Sequence, residues 1–454
     1  MKVHLIAIGG SAMHNLAIAL WEKGYTVSGS DDEIFEPGKS RLAKRDLLPE
    51  VMGWDASRIH EGIDAVIVGM HARADNPELL RAQELGLKIY SYPEYIFEQT
   101  KDKKRIVIGG SHGKTTITSM LLHVFNQSKI PCDFMVGAQL AGFDCMVKLT
   151  DDAEYVILEG DEYLSSPIDL RPKFHLYKPH IALISGIAWD HINVFPTFQN
   201  YVHQFDVFID CIEPNGALIF AHEDLEVARL AAKPRHRPLT TLGYGSHPNQ
   251  VENGITYLET PSGLLPIRVF GHHNLQNLNG AMQISRMVGI ADSDFYSAIA
   301  TFEGASKRLE IVARRNQGII FKDFAHSPSK LKATSSAVKR QFPQHRIVAC
   351  MELHTFSSLN ATFLEQYAHS MDEPDIAIVY FNPHTIEHKR LEPITVADVK
   401  NAFQREDLIV LTDAGLVDMI LMETDWERTH LLWMTSGNFD GLDISELALR
   451  LPMN

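Results

Sequence analysis

The 454 residues contain only four cysteines, Cys132, Cys145, Cys211 and Cys350, and no two form a C-x-x-C pair. That scatter argues against a disulfide framework or a cysteine zinc site and reads as reduced core thiols, the pattern of a cytoplasmic protein. Basic residues are short as well. Lys and Arg number 42 against 57 Asp and Glu, and the net charge of −15 argues against a nucleic-acid partner, whose phosphates clustered cations would have to neutralise. No apolar run approaches the roughly 20 residues of a membrane span, so no membrane insertion is expected. The opening stretch MKVHLIAIGGSAMHNLAIAL looks superficially like a signal peptide. Gly9, Gly10, His14 and Asn15 interrupt it and no small-residue cleavage site follows, so a strand, a turn and a helix are expected. Solenoid-length repeats and low-complexity tracts are missing too.

What remains is ordinary globular composition with room for about three domains. Short apolar runs alternate with amphipathic stretches, which predicts α/β architecture with parallel sheets. Strands are expected at His4–Ile8, Tyr25–Gly29, Ala65–Val68 and Lys88–Tyr90, with a helix over Ala12–Lys23. After the charged connector Lys101–Arg105 come strand Arg105–Ile108, helix Thr116–Gln127, and strands Tyr155–Leu158 and Ile181–Ile187. A less regular stretch, 213–266, contains hairpin-like pieces and precedes a helix over Leu275–Val288. The alternation restarts after Phe302-Glu-Gly304, with strands near Gly318–Phe321, Arg346–Cys350, Ile376–Tyr380, Leu408–Leu411 and Leu431–Met434. The domains are expected at 1–103, 104–302 and 303–454.

The segment Gly110-Ser111-His112-Gly113-Lys114-Thr115-Thr116 lies between a predicted strand and a predicted helix. Such a loop aims backbone N–H groups and the positive end of a helix dipole at an anion. Its glycines admit phosphate, Lys114 can neutralise β/γ-phosphate charge, and the Thr115 hydroxyl can ligate Mg²⁺. The general phosphate-loop pattern would place a glycine at Ile108. Gly9-Gly10-Ser11-Ala12-Met13 also opens a helix after a strand, and Asp31 ends the second strand about twenty residues on, where a ribose-binding acid belongs. A tight αβ turn is the competing reading, since the third glycine of the dinucleotide fingerprint is missing. His71 follows the third strand. Glu159 and His191 each end a predicted strand of the middle segment, where a carboxylate and an imidazole could hold Mg²⁺; a turn cap and a satisfied histidine are the alternative. His273, Asn274 and Asn277 stand at a predicted helix start, where Asn caps or hydrogen-bonds a base edge. Lys307-Arg308 and Asp323-Phe-Ala-His326 open the last segment, and alone they would be surface features.

Read in order, these pieces resemble the Mur ligase family of peptidoglycan synthesis. The resemblance spans essentially the whole chain: G-[ST]-H-G-K-T-T, E-x-D-E, D-H, G-x-H-N-x-x-N, an R/K-R-x-E stretch and D-[DY]-[FY]-A-H-x-P. It implies a Rossmann-like N-terminal domain binding a UDP substrate through Gly10, Ser11, Ala12, Met13, Asp31 and His71. It also implies a central P-loop domain for ATP, and a Rossmann-like C-terminal domain that binds the incoming peptide and closes over ATP. Gly110 to Thr116 would hold phosphates, and Thr115, Glu159 and His191 would arrange Mg²⁺. His273, Asn274 and Asn277 would lie at adenine, and Arg308 and Asp323 at phosphate and ribose. Lys114, His191, Glu159 and Arg308 would be the catalytic set. The reaction implied is ADP-forming amide synthesis through an acyl phosphate.

Within the family, Val27–Asp31 with Ile34-Phe-Glu-Pro37, Asn76-Pro-Glu78, Tyr163 after Glu159-Gly-Asp-Glu162, and Lys173–Pro179 resemble one branch. That branch joins UDP-N-acetylmuramate to L-alanyl-γ-D-glutamyl-meso-diaminopimelate in cell-wall recycling. The branch adding L-alanine alone is the alternative. A nucleotide-gated module that no longer ligates is a reading of another class, against which the intact Lys114, Thr115, Glu159, His191 and Asp323 count. Gly160 replaces the family's usual Ala, Ser327 a common His, and Leu309 an aromatic or Met. Tyr201–Phe205 offers no Lys for carbamylation, and Glu352-Leu-His-Thr-Phe-Ser357 stands where relatives carry an Arg-bearing stretch.

Overall fold

The computed structural model describes residues 1–140, 142–305, 308–315 and 318–453; Lys307 of the basic pair lies outside the described residues. The chain packs as two compact units. One comprises Met1–Ile187, Val202–Tyr244 and Gln283–Ile290, the other Ala188–Tyr201, Gly245–Met282 and the chain from Ala291 onward.

The first unit holds two main sheets. Strands β1 (Lys2–Ile6), β2 (Thr26–Ser30), β3 (Ala65–Val68) and β4 (Ile89–Ser91) pair in the order β2-β1-β3-β4, all parallel. Helices cover parallel sheets on both faces, which is why β3 is a bare apolar run buried at every residue. The second sheet is built from β5 (Lys104–Gly109), β6 (Cys132–Met135), β7 (Val147–Lys148) and β8 (Tyr155–Glu159). A two-stranded ribbon, β9 (Leu164–Ser166) and β10 (Asp169–Pro172), separates these from β11 (Ile181–Ile184), β12 (Ala217–Ala221) and β13 (Thr240–Tyr244). The sheet order is β13-β12-β11-β5-β8-β6-β7, and only β7 runs antiparallel. Strand β5, at its centre, feeds the helix Lys114–Gln127.

The second unit carries an antiparallel meander, β14 (Asn249–Glu252), β15 (Ile255–Thr260) and β16 (Gly263–Ile267). Its main sheet has β17 (Glu310–Arg314), β18 (Ile319–Asp323), β19 (Arg346–Leu353), β20 (Ile376–Phe381), β21 (Ile409–Leu411) and β22 (Thr429–Met434) in the order β17-β18-β22-β19-β20-β21. All but β17 are parallel. The chain runs from β18 outward to β21 and then returns to insert β22 between β18 and β19. Right-handed crossovers put helices made before and after such a reversal on opposite faces. Accordingly Leu331, Val338, Val399 and Phe403 pack in one core with Phe321 and Ala349, while Val417, Leu421, Ile444 and Leu447 pack in another with Val348 and Trp433.

Three expectations about elements are corrected. The strand expected to run to Ile187 ends at Ile184, because Gly186 turns at φ 151° and Asp224 accepts from the Ile187 N–H at 2.7 Å. The helix expected from Leu275 begins at His272, directly after Gly271 at φ 90°. Asn274 is therefore inside its first turn rather than its cap, and its side-chain amide donates to the Phe270 carbonyl at 2.9 Å. The stretch 213–266 is more regular than expected: β12 and β13 extend the parallel sheet, and only the meander is hairpin-like.

Candidate active site

The loop after β5 is shaped by two glycines in left-handed backbone. Gly110 has φ 130°, and a Cβ there would lie 2.2 Å from Ser185 Oγ; Gly113 has φ 76° and immediately precedes the helix. Ser111 N–H donates to the Gly186 carbonyl at 2.9 Å, and Ser185 Oγ donates to the His112 carbonyl. The turn after β11 thus fixes the loop. Thr115 and Thr116 are buried at the helix start.

Lys114 bends back over this loop. Its Nζ donates to the Gly110 carbonyl at 2.6 Å and to Glu162 Oε2 at 2.6 Å. Burial alone would lower the ammonium, but Glu162, Asp161 and Glu159 outweigh it and the pKa stands above the ordinary lysine value. The Lys114 side chain is 15% exposed and Glu162 1%, so removing one partner of this pair is expected to cost about 3–5 kcal/mol. Glu159, the last residue of β8, accepts from Thr115 Oγ1 at 2.8 Å and from Gly137 N–H at 3.0 Å. A hydroxyl and a carboxylate side by side are hard oxygen donors, and Mg²⁺ bound by few protein groups completes its shell with water and phosphate oxygens. The residues present therefore fit Mg²⁺, although no group of three metal-binding side chains occurs among the described residues.

Glu162, Asp161 and Ser185 were missed as site residues. The first two stand within three positions of Glu159, and that spacing was the available signal; Ser185 had none. Lys173 Nζ pairs with Asp161 Oδ2 at 2.5 Å and lies 5.9 Å from the centre of the Tyr163 ring. Phe174 packs on Gly160, where a Cβ would sit 3.3 Å from Phe174 Cβ and 2.9 Å from Val107 Cγ1. Glycine in place of alanine thus admits the Lys173–Pro179 run.

In the N-terminal sheet of the same unit, Asp31 clamps the glycine turn. Its Oδ2 accepts from Gly9 N–H at 2.7 Å and its Oδ1 from Asp32 N–H at 3.0 Å. Burial pushes its pKa up to about 6 against these hydrogen bonds. A Cβ on Gly9 would lie 2.7 Å from Ile34 and 2.9 Å from Asp31, so this position requires glycine. Ser11 and Ala12 are exposed at the helix start, and Met13 is buried. His71 is exposed beside Gly10, its Nδ1 3.6 Å from where a Gly10 Cβ would be.

The second unit gathers the other expected residues. His191 adopts a left-handed φ of 54°, and its N–H donates to Asp190 Oδ1 at 2.8 Å. Asp190 is held well below the ordinary carboxylate range: burial opposes ionisation, but His191, Lys330 and His326 favour it. His326 lies 3.9 Å from Asp190, yet burial and then Lys330 push its pKa down to about 3. It is therefore neutral at physiological pH, and Lys330 adds positive charge beside Asp190. Asp323 ends β18 and accepts from Leu309 N–H at 3.1 Å and Thr334 Oγ1 at 3.2 Å. Burial raises its pKa to about 6, with Arg308 opposing. The Arg308 guanidinium is 5.0 Å from the Phe324 ring centre. At the helix His272–Met287, Asn274 and Asn277 are buried, and burial lowers His273 to about 4. Gly271 approaches the helix Pro328–Gln341 so closely that a Cβ would be 2.5 Å from Ala337 Cβ.

This chemistry is matched by relationship. The Mur ligase family catalytic domain matches residues 2–104, and the Mur ligase middle domain matches residues 108–285. A UDP-N-acetylmuramate–L-alanine ligase of Carboxydothermus hydrogenoformans is 30% identical over 75% of this chain and 73% of that protein. The chain belongs to the Mur ligase family. Mur ligases are ATP-dependent enzymes of peptidoglycan synthesis that form amide bonds between a UDP-linked muramic acid substrate and an amino acid or peptide. The UDP-N-acetylmuramate–L-alanyl-γ-D-glutamyl-meso-2,6-diaminoheptandioate ligase of Haemophilus influenzae is 26% identical over 97% of both chains. The UDP-N-acetylmuramate–alanine ligase structure from Thermotoga maritima covers 97% of both chains with a TM-score of 0.70 at 19% identity, and shows the same three-domain α/β Mur ligase fold. No helix among the described residues is long and apolar enough to cross a membrane.

Proposed function

We propose that this Mur ligase joins the muramoyl carboxylate of UDP-N-acetylmuramate to the amine of L-alanyl-γ-D-glutamyl-meso-diaminopimelate, in the cytoplasm, during peptidoglycan recycling. One observation carries the choice of acceptor. Tyr163 and the Lys173–Pro179 run, both resembling the tripeptide branch, form one contiguous assembly around Gly160: Lys173 bridges Asp161 and Tyr163, and Phe174 fills the space over Gly160. They are tied to the turn that carries Glu159 and Glu162, so they act on the catalytic centre together.

The residue roles follow from chemistry. Lys114 and the loop amides hold the ATP phosphates and lower the charge an incoming carboxylate meets. Mg²⁺, held by Thr115, Glu159 and His191, would screen the same phosphates. The muramoyl carboxylate attacks the γ-phosphorus, ADP leaves, and the acyl phosphate is then attacked by the peptide amine, releasing phosphate. Arg308 and Asp323 reach phosphate and ribose, and His273, Asn274 and Asn277 flank adenine. Gly10 to Met13, Asp31 and His71 bind the UDP moiety. Domains of 1–103, 104–302 and 303–454 divide these tasks. UDP-N-acetylmuramate–L-alanine ligation is the second reading, favoured by the 30% identity to a protein of that name. ADP release with UDP-N-acetylmuramate and either acceptor separates the two: faster turnover with L-alanine would overturn the tripeptide assignment.

A further inference from the structure

Asn15 stands one turn into the helix Ser11–Glu22, which the glycine turn opens, and it is 3% exposed. A buried asparagine inside a helix is disfavoured against leucine, both in helix propensity and in the cost of taking an amide out of water. Both ends of this amide are nevertheless engaged. Its Nδ2 donates to the Ser11 carbonyl at 2.7 Å and to His14 Nε2 at 3.1 Å. His14 Nδ1 meets the Gly10 carbonyl at 3.0 Å; a carbonyl only accepts, so the ring proton is on Nδ1 and Nε2 is the acceptor. Asn15 Oδ1 accepts from the Met146 N–H at 2.8 Å, and the Asn15 backbone carbonyl accepts from Cys145 Sγ at 3.2 Å.

Cys145 and Met146 end the segment that joins β6 to β7. The pairing of these strands is short: β7 has two residues, and the Val136 N–H adds one bond to the Met146 carbonyl at 2.9 Å. So small a pairing at a sheet edge needs support from outside it. Met146 is clamped between Val136 through its carbonyl and Asn15 through its N–H. Next to Val136, Gly137 donates its N–H to Glu159 Oε2 at 3.0 Å, and a Cβ on Gly137 would lie 3.3 Å from Glu159 Oε1. A second tie holds the segment from its exposed side, where Arg41 Nη2 donates to Gln139 Oε1 at 2.6 Å and Gln139 Nε2 donates to the Phe143 carbonyl at 2.7 Å. Hydrogen bonds and one peptide link thus run from the glycine turn through Asn15, Met146, Val136 and Gly137 to the carboxylate proposed to hold Mg²⁺.

We infer that Asn15 is a positioning residue: by clamping Met146 it fixes the Gly137 N–H and, through it, the orientation of Glu159 toward the metal. Groups that orient a metal ligand from behind are worth about ten- to a hundredfold in metal affinity. Asn15 acts one step further back, which puts its worth near the lower end of that range. The inference rests on Glu159 being a metal ligand of the proposed ligase and is independent of which acceptor is used.

The test titrates Mn²⁺, in place of Mg²⁺, into the full-length ADP-bound enzyme and reads bound metal by electron paramagnetic resonance, for wild type, Asn15→Leu, Gln139→Ala and Glu159→Gln. Asn15→Leu is expected to weaken Mn²⁺ about tenfold. Gln139→Ala, which loosens the same segment from its exposed side without touching the core, is expected to weaken it less. In turnover both variants should need more Mg²⁺ for half the maximal rate, and saturating Mg²⁺ should return most of kcat, which a general loosening of the fold would not allow. Calorimetric affinity for UDP-N-acetylmuramate should stay near wild type. Unchanged Mn²⁺ affinity in either folded variant, or a loss of UDP-N-acetylmuramate affinity as large as the metal loss, would overturn the inference and leave the ligase reading standing when Glu159→Gln weakens Mn²⁺. Unchanged Mn²⁺ affinity in Glu159→Gln would overturn the metal role of Glu159 and the inference with it.

Discussion

Lys114 shows most clearly how structure bears on the proposed chemistry. Its ammonium already has two short contacts, to a loop carbonyl and to Glu162, so it is held where phosphate oxygens would arrive. Lys114→Ala is expected to lower kcat by at least about a hundred- to a thousandfold, as loss of a charge-stabilising donor does. Calorimetric titration of the same variant with UDP-N-acetylmuramate should give near wild-type affinity, since the glycine turn and Asp31 belong to another sheet. Asp323 supplies a prediction about pH. Its folded pKa of about 6 lies above the unfolded value of about 4, so between these pH values the folded state holds the proton more tightly than the unfolded one. That contribution is fully present below about pH 4 and is lost as pH rises toward 6, amounting to roughly 3 kcal/mol for a shift of about two units. Denaturant unfolding of wild type and Asp323→Asn from pH 4 to 7 should show the wild type losing stability relative to the variant over that range; parallel curves would contradict the burial argument. Lys114, Thr115 and Glu159 were legible in the sequence because a phosphate loop is local, and a strand-ending carboxylate is the next thing to look for. Glu162 was signalled only by its spacing from Glu159, and Ser185 and Lys330 were not legible, because their roles come from strands and helices meeting across the fold.

At the scale of elements, the phosphate loop depends on Gly110, and the packing around it explains why. Gly110→Ala would place a methyl 2.2 Å from Ser185 Oγ in a backbone conformation hostile to side chains. ATP affinity is expected to fall by more than tenfold and stability by about 2 kcal/mol or more. Gly86→Ala also sits at a positive φ but meets nothing within 4 Å, so calorimetry and thermal melts should register backbone strain alone. Elements were readable from sequence to the extent that they were periodic. The run Ala65–Val68 is a strand with the expected ends, because parallel strands are apolar on both faces. The strand expected to reach Ile187 stops earlier because Asp224, from a distant turn, takes the amide that would have extended it. Strand Glu310–Arg314 went unread because it is a half-exposed edge strand whose apolar run is short, flanked at once by Glu310 and Arg314.

For the whole molecule, three mostly parallel sheets carry three groups of strand-end residues, and motif order along the chain foretold that division. It did not foretell that Asp190-His191 would pack with Lys330 and His326 of the second unit while Glu159 stays with the first. Acceptor choice is the central claim of the proposed function. The most direct measurement is a competition. Enzyme, ATP, Mg²⁺ and UDP-N-acetylmuramate are mixed with equal concentrations of L-alanyl-γ-D-glutamyl-meso-diaminopimelate and L-alanine, and the products are separated by mass. The account predicts UDP-N-acetylmuramoyl-tripeptide as the dominant early product, with one ADP released per amide formed. Predominant UDP-N-acetylmuramoyl-L-alanine would contradict it.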